Sequence, residues 1–549
     1  MTTHNTRSPL GTPDPKDLYD NSENPDQFIN NDVKAEEVAA PPADSVVIID
    51  DSPAILTLSD AQNAVCASVD DFGGLNLPGI PLSVQDMLRQ HESSIRRLST
   101  TGQVLDIRDN GFKPGSKNDA RGAIQQAVDK LASAGGGVLY LPPGEYLLGG
   151  PVMMASGVSI VGAGIGKTVL LPTGSTAALR YAGSAARYLE NLVLTDFTVN
   201  GELQVNPASG FVPDSKGTFF QFWRNVAMDR LAFLNTGATS IGNDMPDNCS
   251  ILRCYVENAG RLAQDREAPI HARPLGCSGI GLGTGAKDDE PIFVAFNTAK
   301  NCANFGLFFE PQAGGAARGA VVVGNVLEGN YAGLADCGVD GLQVMSNQCR
   351  RNTFGILRYP GTNNSGKPGR RGQYIGNLIE DSTQHGIYSF LPQAKNDPLE
   401  GGSLFSGNII RRSGRDGINF RYQNAAVGIL NEMIADNLIS ENGRHGIYFE
   451  QGKEVVNTDI TGNKIWNNGK EIAGDAVHII PPVRMSSITG NKIRDTQDVP
   501  TQQYPVAATG AMTDVDISFN HCVGNAKNTL NLTGTNTRVT TTNNAGVNS

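Results

Sequence analysis

The sequence predicts an all-β coil, a parallel β-helix, and three observations carry that prediction. Asparagines recur at Asn297, Asn325, Asn347, Asn377, Asn408, Asn437, Asn463, Asn491 and Asn520, at gaps of 22 to 31 residues. The rungs around them read almost alike, as in GNVLEGN, GNLIEDS, GNIIRRS, DNLISEN, GNKIWNN and GNKIRDT. A second β-rich element follows most of them: FGLFF, AGLAD, FGILR, HGIYS, DGINF and HGIYF. A fixed period of this length marks a repeat architecture, in which each unit buries its apolar side on its neighbours. Paired amphipathic helices do not fit short β-rich runs broken by Asn and Gly. Like residues then stack on like residues about 4.8 Å apart, with Val, Ile and Leu inside and the asparagine amides hydrogen-bonded from rung to rung.

Residues 1–100 differ from the rest. They are rich in Pro, Asp and Asn, with two short apolar stretches, Ser45 to Ile55 and Ala64 to Val69, and a helical pattern from Ser83 to Ser99. An irregular arm or small adaptor is expected there. Residues 101–150 open the coil: Asp119 can cap a helix over Ala120 to Ala134, with Ile124, Ala127, Val128, Leu131 and Ala132 as its apolar stripe. Gly135, Gly136 and Gly137 stop that helix, and GVLYLP begins the strands. A helix over the first rung covers an end that would otherwise be an open strand edge. The coil is expected over 151–530, followed by a short tail at 531–549.

Composition narrows the function. A formal charge of -11 opposes phosphate-backbone binding, so no nucleic-acid partner is expected. Between Arg350 and Arg421 lies a locally basic stretch that includes Arg351, Arg358, Arg370, Arg371, Arg411, Arg412 and Arg415. On an acidic protein it suits an anionic glycan such as capsule or acidic O-antigen, and it can equally be read as a solvated face. Eight cysteines show no CxxC spacing and read as small apolar strand residues. The N-terminal MTTHNTRSPLGTPDP has no apolar signal stretch, and no run of about 18 apolar residues occurs, so no membrane insertion is expected. No cofactor is expected either.

The helix followed by GGGVLYLPPGEYLL, with the rungs NLVLTDFTVNG and GNxI..NGxxGI, is similar to the pectate-lyase-like superfamily, its phage tailspikes, polysaccharide lyases and mannuronan C-5-epimerases. The resemblance covers most of the chain. It implies a single-stranded right-handed parallel β-helix that binds and cuts polysaccharide. SPLGTPDPKDLYDNSENPDQFIN resembles the virion-attachment segment of phage tail spikes and fibres. That implies a homotrimeric spike of the virion, assembled in the host cytoplasm and joined to tail or baseplate proteins through residues 1–100. Its partner would be a bacterial surface polysaccharide.

In that family the substrate lies along the outside of one sheet, so residues at one place in successive rungs form a line. Reading the ends of SIGND, GIGLGTG, GLFFEP, GLADCG, GILRYP, GIYSFLP, GINFRY and GIYFEQ gives Asp244, Thr284, Glu310, Asp336, Arg358, Phe390, Arg421 and Glu450. Asp244, Glu310 and Asp336 are the expected catalytic acids. Arg358, Tyr359, Arg421, Tyr422 and Glu450 are the expected sugar contacts. Glu310 and Asp336, one rung apart, would hold their carboxyls about 5 Å apart, as in retaining hydrolases. Asp244 and Glu310, two rungs apart, would stand about 9 to 10 Å apart, near the inverting range. Taken singly, each of these acids can also be read as a solvated turn residue.

The excursion Gly260 to Gly276 either lies over the groove, bringing His271 as base and Arg273 as charge neutraliser, or is an ordinary surface loop. The stretch TSIGNDMPDN matches the epimerases' YGFDPHE-type motif only in its acid, Asp244, which counts against epimerisation. His385, Asp416 and His445 each precede the Gly of their rung, and are expected to stack as a hydrogen-bonded ladder rather than to hold a metal. These residues describe a tail-spike depolymerase, with hydrolysis ahead of β-elimination because the acid column is clearer than any base-plus-neutraliser set. A non-enzymatic receptor-binding adhesin and an alginate-type C-5 epimerase are the alternatives.

Overall fold

The computed structural model describes residues 103–264, 276–360, 369–392 and 401–547, and three strands further upstream. The chain divides into two units, Met1–Pro81 and Leu82–Ser549. In the first, Ala54–Ser59 pairs antiparallel with Val65–Asp70, which pairs with Leu75–Asn76. The helical pattern expected over Ser83 to Ser99 lies outside the described residues.

The second unit is a single-stranded right-handed parallel β-helix. Each full turn lays down three short strands on three faces; Ile241–Asp247, Cys249–Leu252 and Tyr255–Glu257 make one such turn. The next turn, Ile280–Thr284, Asp289–Ala295 and Thr298–Lys300, pairs onto it strand by strand in parallel register. The three faces are called the first, second and third sheets below. Side chains alternate in and out along each strand. On the first sheet the inward line runs Ile241, Ile280, Leu307, Leu334, Ile356 and Ile387, all fully buried.

The asparagine ladder forms as expected. Asn325 Oδ1 accepts from both the backbone N–H and the side-chain amide of Asn297, each at 2.9 Å. The same pair of bonds repeats through Asn347, Asn377, Asn408, Asn437, Asn463, Asn491 and Asn520 and ends on Asn544. Each Nδ2 also donates to a strand carbonyl of the preceding turn, as Asn408 does to Tyr374 O at 2.8 Å. A chain that bends sharply inside a protein must still satisfy its backbone polar groups, and the stacked amides do so at every turn.

The capping helix, α1, spans Arg121–Ser133. Asp119 Oδ1 accepts from Arg121 N at 2.9 Å, and Ile124, Ala127, Val128 and Leu131 are buried. Gly137, at φ 151°, follows it where an added Cβ would sit 2.5 Å from Gln103 O, so the first strand can approach only a glycine. At the other end the coil continues past residue 530, where only a tail was expected. Asn536–Thr540 pairs in parallel with Met512–Ser518.

The seven described cysteines are all buried and unbridged. The basic stretch does not form one face. Arg358 points inward and is buried. Arg350 and Arg411 stand on the third sheet in an outward line with Glu328 and Glu380, an alternation of charge from strand to strand. Arg412 pairs with Asp381 at 2.7 Å, and Arg371 Nε donates to Asp340 at 2.7 Å. Cross-strand pairs of opposite charge favour one register, so this part of the stretch reads as structural.

Candidate active site on the outer wall of the first sheet

The register of the first sheet sorts the expected residues into two sets. Asp244 stands opposite Gly283, and Gly283 opposite Glu310, so the two acids share an outward column two strand spacings apart. That column continues with Phe390 and Arg421, which pair directly. Glu450 lies beside it at a bulge, where Arg421 pairs with Gln451.

Asp336, Arg358 and Tyr422 fall on the opposite side. Asp336 pairs with Phe309 and with Arg358, one residue out of step with the acid column. The expected line over-ran the strands by one position there, and a slip of one residue turns a side chain through the sheet. Asp336 is fully buried and accepts from Tyr374 Oη at 2.6 Å and from Gly338 N and Val339 N at 3.1 Å. Burial pushes its carboxyl above the usual range. Arg358, 1% exposed, lies 3.1 Å from Glu432, and donates to Gly369 O at 2.7 Å and to Ser403 Oγ at 3.1 Å. Tyr422 Oη meets Ser389 Oγ at 3.2 Å in the interior. The expected 5 Å pair of Glu310 and Asp336 is therefore replaced by two carboxyls on opposite faces, and neither Arg358 nor Tyr422 can reach a sugar on the wall. His271 and Arg273 lie outside the described residues.

Around Asp244 the wall carries a cation that the residue pattern did not flag. Lys216 precedes Thr218–Asp229, the strand before it, and its Nζ stands 3.6 Å from the centroid of the Phe219 ring. Burial lowers the affinity of the Lys216 ammonium for its proton, and the nearby Asp244 and Asp214 carboxylates partly offset this. Burial pushes the Asp244 carboxyl up, against the Lys216 charge and a hydrogen bond from Gln312 Nε2 at 3.2 Å. Two glycines make the room: an added Cβ at Gly242 would meet the Lys216 stem at 2.8 Å, and one at Gly283 would meet Asp244 Oδ1 at 2.3 Å. Lys216 and Gln312 sit outside the GI-type strand motif, so only the register could have placed them.

Downstream of the acids the wall is aromatic. Phe305, Phe354, Tyr388 and Phe390 form an apolar cluster separate from the main core, with Phe308, Tyr331 and Tyr359 half-buried against it. Tyr359 and Phe390 stack at 6.0 Å with planes 7° apart. The half-buried Tyr359 ring, backed by the buried Phe390 ring, is suited to the apolar face of a sugar.

The ladder of His385, Asp416 and His445 is present and longer than expected. Asp416 Oδ2 lies 3.2 Å from His385 Nδ1, and Asp416 Oδ1 accepts from His445 N at 3.0 Å. Asp475 N then donates to His445 Nδ1 at 2.8 Å. Burial disfavours the Asp416 charge, but Arg444 and His385 outweigh it and hold the carboxyl far below its usual range. Ligand-type atoms of His445, Asp475 and His478 lie within 4.8 Å of one another. An acceptor role for Nδ1 places the proton of neutral His445 on Nε2, so this ring offers no free lone pair to a metal.

Residues 104–260 match the family described as rhamnogalacturonase A/epimerase, pectate lyase-like. That segment is thus similar to the pectate lyase-like family. It contains the capping helix, Lys216 and Asp244. A mannuronan C5-epimerase of Azotobacter vinelandii, AlgE3, is 33% identical over 144 residues, 23% of this chain and 8% of that protein. Alginate lyase 7 of the same organism is 30% identical over 144 residues, 23% of this chain and 16% of that protein. The chain thus spans 8% and 16% of the lengths of these two relatives. The catalytic unit of a GH87 alpha-1,3-glucanase from Streptomyces thermodiastaticus aligns over 81% of this chain and 69% of its own, at 17% identity and a TM-score of 0.46. Among the described residues, no helix is long and apolar enough to cross a membrane.

Proposed function

We propose that the protein is a polysaccharide depolymerase working on the outer wall of its first sheet, with Asp244 as the proton donor and Glu310 as the base. The observation that carries this reading is their shared outward column, Asp244 to Gly283 to Glu310. Two strand spacings amount to about 9 to 10 Å, at the upper edge of the separation that inverting hydrolysis requires. Burial keeps a proton on Asp244 to higher pH, as an acid catalyst needs. The Tyr359 ring, backed by Phe390, with Arg421 and Glu450 beyond it, extends the wall as sugar contacts.

A second reading has a specific support. Lys216 beside Asp244 supplies the cation that proton abstraction next to a uronate carboxylate needs, and the named relatives are an epimerase and a lyase of that substrate class. Incubation of the full chain with alginate, polygalacturonate and purified bacterial surface polysaccharides separates the outcomes. Reducing ends without ultraviolet absorbance support hydrolysis, and both together support elimination. Altered sugar stereochemistry at constant chain length supports epimerisation. Binding to these glycans with no chemical change favours an adhesin and would overturn the proposal.

The phage role belongs to the same proposal: residues 1–100 attach a homotrimeric spike to the virion. Its support is the resemblance of SPLGTPDPKDLYDNSENPDQFIN to attachment segments. Light scattering of the full chain tests the trimer, and a monomer in solution would refute that part alone.

A further inference from the structure

Far from Asp244 on the same wall, Arg421 and Glu450 meet Tyr448 and His478 in a second polar centre. Asn419, Tyr448 and His478 follow one another in an outward column on successive strands. His478 Nδ1 lies 2.5 Å from Asp475 Oδ2, and Asp475 Oδ1 accepts from Tyr504 N at 3.0 Å. A carboxylate at Nδ1 holds the proton there and leaves the Nε2 lone pair outermost. The His478 side chain is 19% exposed and meets the Tyr448 ring edge-on at 5.2 Å. Glu450, 24% exposed, accepts from Asn419 Nδ2 at 3.0 Å and faces Arg421 at 3.5 Å. Asn419 is fully buried and spends its Nδ2 on Asp416 and Glu450, while its Oδ1 has no hydrogen-bond partner among the described residues. A buried amide oxygen without a donor is rare, and Arg421 Nε in the same set likewise has no hydrogen-bond partner among the described residues.

We propose that His478, Tyr448, Glu450 and Arg421 form a second glycan subsite that takes sugar hydroxyls, with Asp475 positioning the histidine. Six to eight strand spacings of about 4.8 Å separate its residues from the Asp244 strand, roughly 29 to 38 Å along one wall. The group mixes acceptors, donors and a ring face at nearly balanced charge, which fits a polyhydroxylated chain better than a compact anion. The subsite rests on the reading that glycan lies along this wall. It adds a distant anchor that holds long chains and leaves short ones untouched.

The test uses the full chain with Asp244→Asn to stop turnover, and alginate, polygalacturonate and dextran as probes, each as polymer and as short oligosaccharide. Adding His478→Gln or Glu450→Gln is expected to weaken polymer binding about tenfold or more while short oligosaccharides bind unchanged. Circular dichroism melts verify that each variant remains folded. Unchanged polymer binding in both variants, or no binding of any probe to the Asp244→Asn protein, overturns the subsite. Loss of turnover in Asp244→Asn together with unchanged binding in His478→Gln would sink the subsite alone. Full turnover in Asp244→Asn with weakened polymer binding in His478→Gln would instead sink the Asp244 reading and keep the subsite.

Discussion

Asp336 stands opposite Phe309, not Glu310, in the parallel register of the first sheet. Glu310 therefore faces outward with Asp244, while Asp336 faces into the coil and anchors Tyr374 Oη, Gly338 N and Val339 N. Asp336→Ala removes the acceptor for all three. Leaving buried donors unmatched costs about 1 to 3 kcal/mol each, so a loss of about 3 kcal/mol or more is expected in denaturant unfolding. Turnover per folded molecule stays near the parental value. Glu310→Gln behaves the opposite way, keeping the melting curve and losing turnover. An Asp336→Ala protein with normal stability would contradict the inward placement.

Arg358 and Glu432 form an ion pair that water does not reach, each side chain being 1% exposed. Burial opposes the Arg358 charge, but Glu432 and its neighbours outweigh this and hold the guanidinium above its usual value. Removing one partner strands the other charge in the interior, at a cost of about 3 to 5 kcal/mol. Arg358→Met alone is expected to destabilise by that order. Arg358→Met with Glu432→Leu should recover most of the loss, since an apolar pair of similar volume often replaces a buried ion pair without penalty. A double variant no more stable than the single one would count against the pair as the source of the effect.

The contrast between these residues explains what the chain reveals on inspection. The coil was legible because Asn297 to Asn520 repeat at nearly constant spacing, and a ladder of amides works only if they do. The faces were less so. A strand motif such as GLADCG shows that a strand is present but not where its partner residue falls, and Asp336 and Arg358 were misplaced by that single step. Asp244 and Glu310 fall in one outward column because Ile280 and Leu307 lock their strands in register. Lys216 and Gln312 reach the site from outside the repeated motif, so no spacing rule leads to them. Asp475 extends the His385 ladder but precedes Ala476 instead of a glycine, which hid it.

The ladder itself can be tested by position. Asn408 lies in its middle, accepting from Asn377 N and Nδ2 at 2.9 Å and donating to Tyr374 O at 2.8 Å. Asn544 is the final rung and is half-buried. Asn408→Ala leaves two donors and a carbonyl unmatched in the interior, and a loss of about 2 to 3 kcal/mol is expected. Asn544→Ala should cost well under half of that, because Asn544 is half-buried and its loss opens the end of the ladder to water. Equal losses at the two positions, measured by unfolding rate, would show that the amides do not act through burial.

Asp244 makes a prediction that separates stability from activity. Its carboxyl is pushed up by burial, so ionising it in the folded protein is unfavourable. A raised value favours the folded state only while the group is protonated. That advantage is complete below the ordinary carboxyl value of 3.8 and is lost as pH rises through the folded value. Asp244→Asn removes the penalty, and is expected to melt higher than the parent at pH 7 and no higher near pH 3. Turnover should fall at least about a hundredfold, the usual contribution of a positioned acid. A variant that melts lower at pH 7 would place Asp244 in a structural role.

His445 sets the acid limb of stability. Burial lowers its proton affinity most, with His478 and Arg444 acting in the same direction and Asp416 and Asp475 against it, and the ring titrates at about 4. An unfolded histidine takes its proton near 6.5, so between 6.5 and about 4 the unfolded chain binds a proton that the folded one refuses. Stability conferred by the neutral ring is thus complete above 6.5 and declines as pH falls to about 4. The loss is on the order of 3 kcal/mol over that window. Asp416 acts below it, since its depressed carboxyl keeps its stabilising charge until the medium is more acid still. His445→Asn retains an acceptor for Asp475 N but cannot titrate. Its unfolding free energy should therefore fall by on the order of 3 kcal/mol less than the parent's between pH 6.5 and 4. A variant that declines in parallel with the parent would move the acid sensitivity to another group.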